Sequence, residues 1–210
     1  MQRARRSVLL WLFAIAQGAL AAETATTPAT TPAAVVHVLL QTDRGGIRLA
    51  LEQARAPITV GNFLRYVDEK RFDGTSIYRA MKVDEKGEYG LVQGGIQGNR
   101  SRALRPILHE TTYATGLSHV DGAISMARSD PGTATGDFFF VVGTLTSLDG
   151  VPDGDQGYAA FGRVVEGMDL VRSILELPRT EDAQSEAMKG QMLAEPVRIL
   201  TARRVDAGSP

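Results

Sequence analysis

The chain contains no cysteine, so disulfide staples, thiolate metal sites and a lipoprotein attachment residue are all excluded. Histidine is scarce. His37, His109 and His119 are the only three, and their spacing does not suit a metal. They read as structural or surface residues, and neither a metal nor any other cofactor is expected. Charge of one sign is lacking too. The formal net charge is −1, and it becomes −4 when Arg3, Arg5 and Arg6 are set aside with the leader described below. Nucleic acid calls for a basic patch and is therefore not an expected partner. Val8 to Ile15 is apolar but too short to span a bilayer. Gly94-Gly95 has no P-loop pattern around it and reads as a turn.

What the first residues do have is the layout of an export signal. Arg3, Arg5 and Arg6 form a basic segment, the apolar run follows, and Ala19-Leu20-Ala21 supplies small residues for cleavage. The expectation is a signal peptide over residues 1–21, with Ala22 as an alternative cleavage position. The mature chain is expected in the periplasm, without stable membrane insertion. Residues 22–34 are Thr-, Ala- and Pro-rich, cannot bury apolar area, and read as a linker. About 190 residues follow the leader, enough for one domain with a full core. That domain is assigned to residues 35–205, with 206–210 as a tail.

Alternating patterns dominate the domain. Val36–Gln41 and Ile47–Glu52 read as strands joined by hairpin chemistry at Asp43-Arg44-Gly45-Gly46. Ala56-Pro57 opens a helix in which Val60, Phe63, Leu64 and Val67 form one apolar stripe. Gly61 within that helix costs about 1 kcal/mol against Ala, which suggests a close packing contact. Further strands are read over Gly122–Arg128, Asp137–Val142, Tyr158–Val165 and Pro196–Arg204. A second helix begins at Gly167-Met168-Asp169 and stops at Pro178, and Arg179 to Glu195 reads as a polar excursion. Many strands with two isolated helices fit a mainly β fold, a closed antiparallel barrel capped by helices.

Two stretches carry the chemistry. Asp73-Gly74 is a turn, and beyond it Ile77, Arg79 and Met81 should share one strand face while Tyr78 and Ala80 share the other. Leu91 and Gln93 pair in the same way on the next strand. An arginine on a strand also suits a solvated edge or a salt bridge. Beside Gln93 and among apolar neighbours, its guanidinium could instead meet a substrate amide. In Phe138-Phe139-Phe140, the middle ring must face away from the other two. The run therefore suits either a strand buried on both faces or one whose second face lines a groove.

The order of motifs resembles the cyclophilin family of peptidyl-prolyl cis-trans isomerases, specifically its exported bacterial branch. The matching segments are Ala56–Phe63, Phe72-Asp73-Gly74-Thr75 with Tyr78-Arg79, Val92–Gly95, Ser125–Arg128, Phe138-Phe139, Leu148-Asp149-Gly150, Phe161–Val164 and Gly167-Met168. The resemblance covers about Val35 to Val205. It implies an eight-stranded antiparallel barrel capped by two α-helices. It also implies that Arg79 and Gln93 are catalytic, that Phe139 floors a proline pocket walled by Leu91 and Leu148, and that Ala127 and Arg128 meet the substrate backbone. Tyr158 stands at a pocket position that holds His in many relatives. Partners would be proline-containing unfolded or extended polypeptides, bound by a monomer.

The sequence departs from the family pattern at four places. Gly90 stands where relatives often carry Phe, Ser147 where many have Trp, Arg128 for a frequent Asn, and Asp137 for a frequent Gln. The wall at Gly90 is expected either to stand open or to be rebuilt by the adjacent Tyr89, which is counted among the substrate-binding residues. Retention of Arg79 points to an isomerase assisting the folding of exported proteins. Loss of the aromatics at Gly90 and Ser147 points instead to a peptide-binding module or holdase with little turnover.

Overall fold

The computed structural model describes residues 35–183 and 185–208; the expected leader (1–21) and the whole expected linker (22–34) lie outside them, and so do Ser209 and Pro210 of the tail. The strands are β1 (Val35–Thr42), β2 (Gly45–Glu52), β3 (Thr75–Lys82), β4 (Gly90–Gly95), β5 (Ala123–Met126), β6 (Phe138–Val142), β7 (Ala160–Glu166), β8 (Arg179–Thr180) and β9 (Met192–Val205). The helices are α1 (Pro57–Asp68), α2 (Thr112–Thr115) and α3 (Met168–Leu175). Sheet order is β1-β2-β7-β5-β6-β4-β3-β9, and a further β1–β9 pairing closes it into an eight-stranded barrel. Every pairing is antiparallel. β8 adds two residues beside the start of β9.

Alternation sorts the side chains as the period of a strand requires. Val92, Ile124, Phe138 and Phe140 join the main core, whereas Leu91, Ala123, Phe139 and Val141 form a second cluster on the opposite face. The main core is built around Phe63 of α1, whose ring lies 5.0 Å from Phe72, 5.5 Å from Phe138 and 5.2 Å from Phe161. Each such ring contributes about 1.5–3 kcal/mol through burial. Val171, Ile174 and Leu175 of α3 reach the same core.

Several expectations are corrected. The β1–β2 hairpin turns on Asp43 and Arg44 alone, because Gly45 and Gly46 already pair with Thr42 and Gln41. The last strand begins at Met192 and not at Pro196, so part of the expected polar excursion belongs to the sheet. The short α2 lies outside the two expected helices. A Cβ at Gly61 would meet nothing within 4 Å, so no packing contact explains that glycine. The close approach is elsewhere: a Cβ at Gly136 would lie 2.4 Å from the Tyr66 ring. Ala56 offers α1 no side-chain cap. The Glu110 carboxylate does so instead, accepting from the backbone N–H groups of Ile58 (3.1 Å) and Thr59 (2.7 Å). A negative group there also suits the helix dipole.

One deviation from alternation shapes the site. The β3–β4 and β3–β9 registers both shift between Ile77 and Arg79, making Tyr78 the extra residue of a β-bulge. Ile77 and Ala80 consequently face the core. Tyr78, Arg79 and Met81 line a groove on the other side. The expected grouping of Ile77 with Arg79 fails for this reason.

Candidate active site

The outer face of β3, β4 and β6 floors an open groove of about 600 Å³. Phe139 forms part of the floor and is only 3% exposed, and Leu91, Met81, Ala127, Leu148 and Tyr158 pack around it. Ala127 and Arg128 lie just past the end of β5 and Tyr158 just before the start of β7, so they stand as a wall and not as ladder residues. Tyr158 meets Phe139 edge-on at 5.5 Å, and the Arg128 guanidinium sits 4.7 Å over the Tyr158 ring. Arg128 also donates from Nε to the Gly157 carbonyl at 3.1 Å, which fixes it against that wall.

Arg79 and Gln93 meet directly: Nη1 of Arg79 donates to Oε1 of Gln93 at 2.7 Å. The orientation of the Gln93 amide follows from its other end. Nε2 donates to the Tyr78 hydroxyl at 2.8 Å, and that hydroxyl donates to Oδ1 of Asp137 at 3.2 Å. A carboxylate can only accept, so the Tyr78 hydroxyl points to Asp137 and leaves its lone pairs for Gln93, whose oxygen then faces Arg79. Asp137 is anchored by the backbone N–H groups of Gln97 (2.7 Å) and Gly98 (3.2 Å). Burial raises its carboxyl pKa, with these bonds opposing the shift. Burial also raises the Tyr78 pKa and lowers that of Arg79, which remains a cation because its ordinary value is so high.

Beside the floor, His119 stacks on Phe139 with ring centroids 5.9 Å apart and planes 11° from parallel. Its Nδ1 lies 2.5 Å from Oδ1 of Asp149 and its Nε2 2.9 Å from the Ser125 hydroxyl. This has the order of a Ser-His-Asp triad. However, Ser125 and His119 are both 0% exposed, so no substrate can reach the hydroxyl. The line is a strut that braces Phe139 from the side of β5. Burial lowers the His119 pKa, although Asp149 pulls it the other way.

Of the residues expected in the site, Arg79, Gln93, Leu91, Ala127, Arg128, Phe139, Leu148 and Tyr158 all line this one groove. Tyr89 does not. Its loop is closed by the Asp84 carboxylate, which accepts from the backbone N–H groups of Glu88 and Tyr89, and the ring lies against Gly143. Gly90 faces inward, where a Cβ would be 2.6 Å from the Met81 carbonyl and 2.9 Å from Leu175. Ser147 is exposed on the 3₁₀ turn Thr146–Leu148. Sequence reasoning missed Tyr78, Met188, Gln191 and Met192. The apolar Met188 and Met192 flanking Gln191 in an otherwise polar stretch were the available signal for the last three.

The family model described as "Cyclophilin type peptidyl-prolyl cis-trans isomerase/CLD" matches residues 37–203. Peptidyl-prolyl cis-trans isomerase A of Dickeya dadantii is 36% identical over 157 residues, 73% of this chain and 78% of that protein. A peptidyl-prolyl cis-trans isomerase of Acinetobacter baylyi is 31% identical over 167 residues, 79% of this chain and 84% of its own length. Among solved structures, a cyclophilin-type isomerase of Cryptosporidium parvum, crystallised in the presence of the dipeptide Ala-Pro, has the same fold. Its TM-score is 0.63 at 19% identity, and the match covers 81% of this chain and 99% of that one. With the barrel, the groove and these relatives in agreement, the chain belongs to the family of cyclophilin-type peptidyl-prolyl cis-trans isomerases.

Proposed function

We propose that the groove accelerates isomerisation of X–Pro bonds in exported proteins, with Arg79 as the catalytic group. The observation that carries this reading is the placement of Arg79: a cation held between side-chain amides at the edge of an apolar floor. Rotation about X–Pro is opposed by amide resonance, a barrier of about 18–20 kcal/mol. A guanidinium N–H donating to the prolyl nitrogen favours its pyramidal, deconjugated form. That interaction arises mainly in the twisted state, so it lowers the barrier more than it tightens binding. Phe139, Leu91 and Leu148 would hold the ring, while Gln93 steadies the neighbouring backbone. No proton transfer or covalent intermediate is required.

The cellular setting is part of the proposal. Arg3, Arg5 and Arg6, the apolar run and Ala19-Leu20-Ala21 support export to the periplasm, in keeping with the exported bacterial branch, and the mature chain would act there as a soluble monomer. N-terminal sequencing of the cell-expressed protein tests it. A start at Ala22 or Glu23 is expected, and Met1 retained in a membrane pellet would overturn it.

A second reading, a peptide-holding module with little turnover, is favoured by the groove's thin rim. Ser147 adds no aromatic surface there, and Gly90, which faces the core, adds none either. An isomerisation assay on Ala-Pro peptides separates the two, since a holding module would bind such peptides without speeding their exchange.

A further inference from the structure

We infer that Gln191 is a positioning residue for the isomerisation, holding the Arg79 guanidinium so that its remaining Nη1–H is aimed into the groove. The inference rests on the assignment of Arg79 to the reaction and deepens it. Gln191 belongs to the segment that returns from β8 to β9, and no pattern in the sequence ties it to Arg79. Its oxygen Oε1 accepts from both Nε (2.9 Å) and Nη2 (2.6 Å) of Arg79. Its nitrogen Nε2 donates to the Ala187 carbonyl at 3.1 Å, so the amide cannot turn its oxygen away without breaking that bond. The backbone is pinned as well: Gln191 donates to the Met188 carbonyl at 3.0 Å and accepts from Ala80, the residue after Arg79, at 2.9 Å.

A guanidinium carries five N–H donors. Gln191 takes two, on Nε and Nη2, and Gln93 takes one on Nη1. The second Nη2–H has only the weak thioether acceptor Met81 Sδ, 3.6 Å away. One Nη1–H is left as a strong donor. Two amide oxygens on different elements therefore fix both the plane and the direction of the fork. The long Arg side chain is ordered before substrate arrives, and its loss of rotamer freedom is not charged to the reaction. Amide oxygens do this with no carboxylate paired to the cation among the described residues, so its charge stays available for the prolyl nitrogen. The same segment brings Met188 and Met192 to the groove, so the wall and the tether are one unit.

The test compares Gln191→Met, which keeps the length and removes the acceptor, with Gln191→Glu, which keeps an acceptor. Isomerisation of an Ala-Pro peptide would be followed by exchange NMR across substrate concentrations, with thermal melting and the 15N-resolved Arg79 Nε–H signal as further readouts. Loss of the tether should lower kcat about tenfold or more in Gln191→Met, with KM within about twofold and the Nε–H signal collapsed to solvent-averaged behaviour. Gln191→Glu should keep the signal and recover part of kcat. If Gln191→Met fails to fold, Gln191→Asn, which draws the acceptor back by one methylene, replaces it in the comparison. Parental kcat in the folded Met or Asn variant, or a Glu variant no better than it, overturns the inference. Arg79→Ala run in parallel distinguishes the failures. If it is inactive while Gln191→Met is fully active, only the tether is wrong; if it is fully active, the role of Arg79 falls and the tether with it.

Discussion

Tyr78 and Arg79 are consecutive in the chain, yet both face the groove. The bulge at Tyr78 makes this possible, and it places the phenol hydroxyl as the link between Gln93 and Asp137. Tyr78→Phe keeps the ring and deletes that link. Gln93 Nε2 loses its acceptor in a buried setting, which costs about 1–3 kcal/mol and lets the amide turn away from Arg79. The melting temperature should fall by about 3–10 °C, and turnover should fall severalfold. Unchanged values of both would show that the chain of hydrogen bonds does not hold Gln93.

Two glycines should respond in opposite directions. Gly61 is an interior helical residue with open space around it, so Gly61→Ala should raise stability by about 0.5–1 kcal/mol. Gly136→Ala must displace the buried Tyr66 ring and should cost about 1–3 kcal/mol. Urea unfolding of the two variants against the parent checks both signs.

The pH dependence of stability should carry the mark of His119. Burial holds its pKa below the ordinary 6.5, so the unfolded chain takes up a proton that the folded chain resists. This contribution is complete above about pH 6.5 and is lost as the pH falls through the lower, folded value. Asp137 acts in the opposite sense, because burial raises its carboxyl pKa, but it is common to parent and variant. Between pH 7.5 and 5, the parent should lose more stability than His119→Gln. Parallel curves would mean that the histidine is not buried in its neutral form.

The groove rim can be rebuilt. The family resemblance implies that a Trp at the place of Ser147 closes the pocket and donates its indole N–H to the macrocycle cyclosporin. Ser147 is exposed and has neither the area nor the reach. The lost contact and hydrogen bond correspond to about 2–4 kcal/mol, or about 30- to 1,000-fold in affinity. Cyclosporin should inhibit the parent weakly, and Ser147→Trp should strengthen inhibition more than it changes turnover of short peptides. Tight inhibition of the parent would require another rim residue, and Tyr89 is not placed to be one.

Much of the barrel and the groove floor was legible in the sequence because both follow from alternation. Phe138, Phe139 and Phe140 sort themselves by the period of a strand, and Leu91 and Gln93 follow the same rule. The stripe Val60, Phe63, Leu64 and Val67 fixed the inward face of α1. What escaped was long-range or aperiodic. The bulge at Tyr78 breaks the period without a local marker, since no glycine or proline occupies it. The Arg79–Gln191 bond spans 112 residues, and nothing in local propensity encodes that approach. Tyr89 falls outside the groove for a related reason: the Asp84 carboxylate closes its loop through backbone N–H groups, and side-chain periodicity does not report that.

The central claim is that Arg79 acts on the twisted prolyl amide and is not needed for the fold. Exchange NMR on an Ala-Pro peptide, run with the parent and with Arg79→Ala, tests it most directly when paired with thermal melting. The account predicts a fall in kcat/KM of about a hundredfold or more, with the melting temperature within a few degrees of the parent. An Arg79→Ala protein that isomerises the peptide as fast as the parent would contradict it.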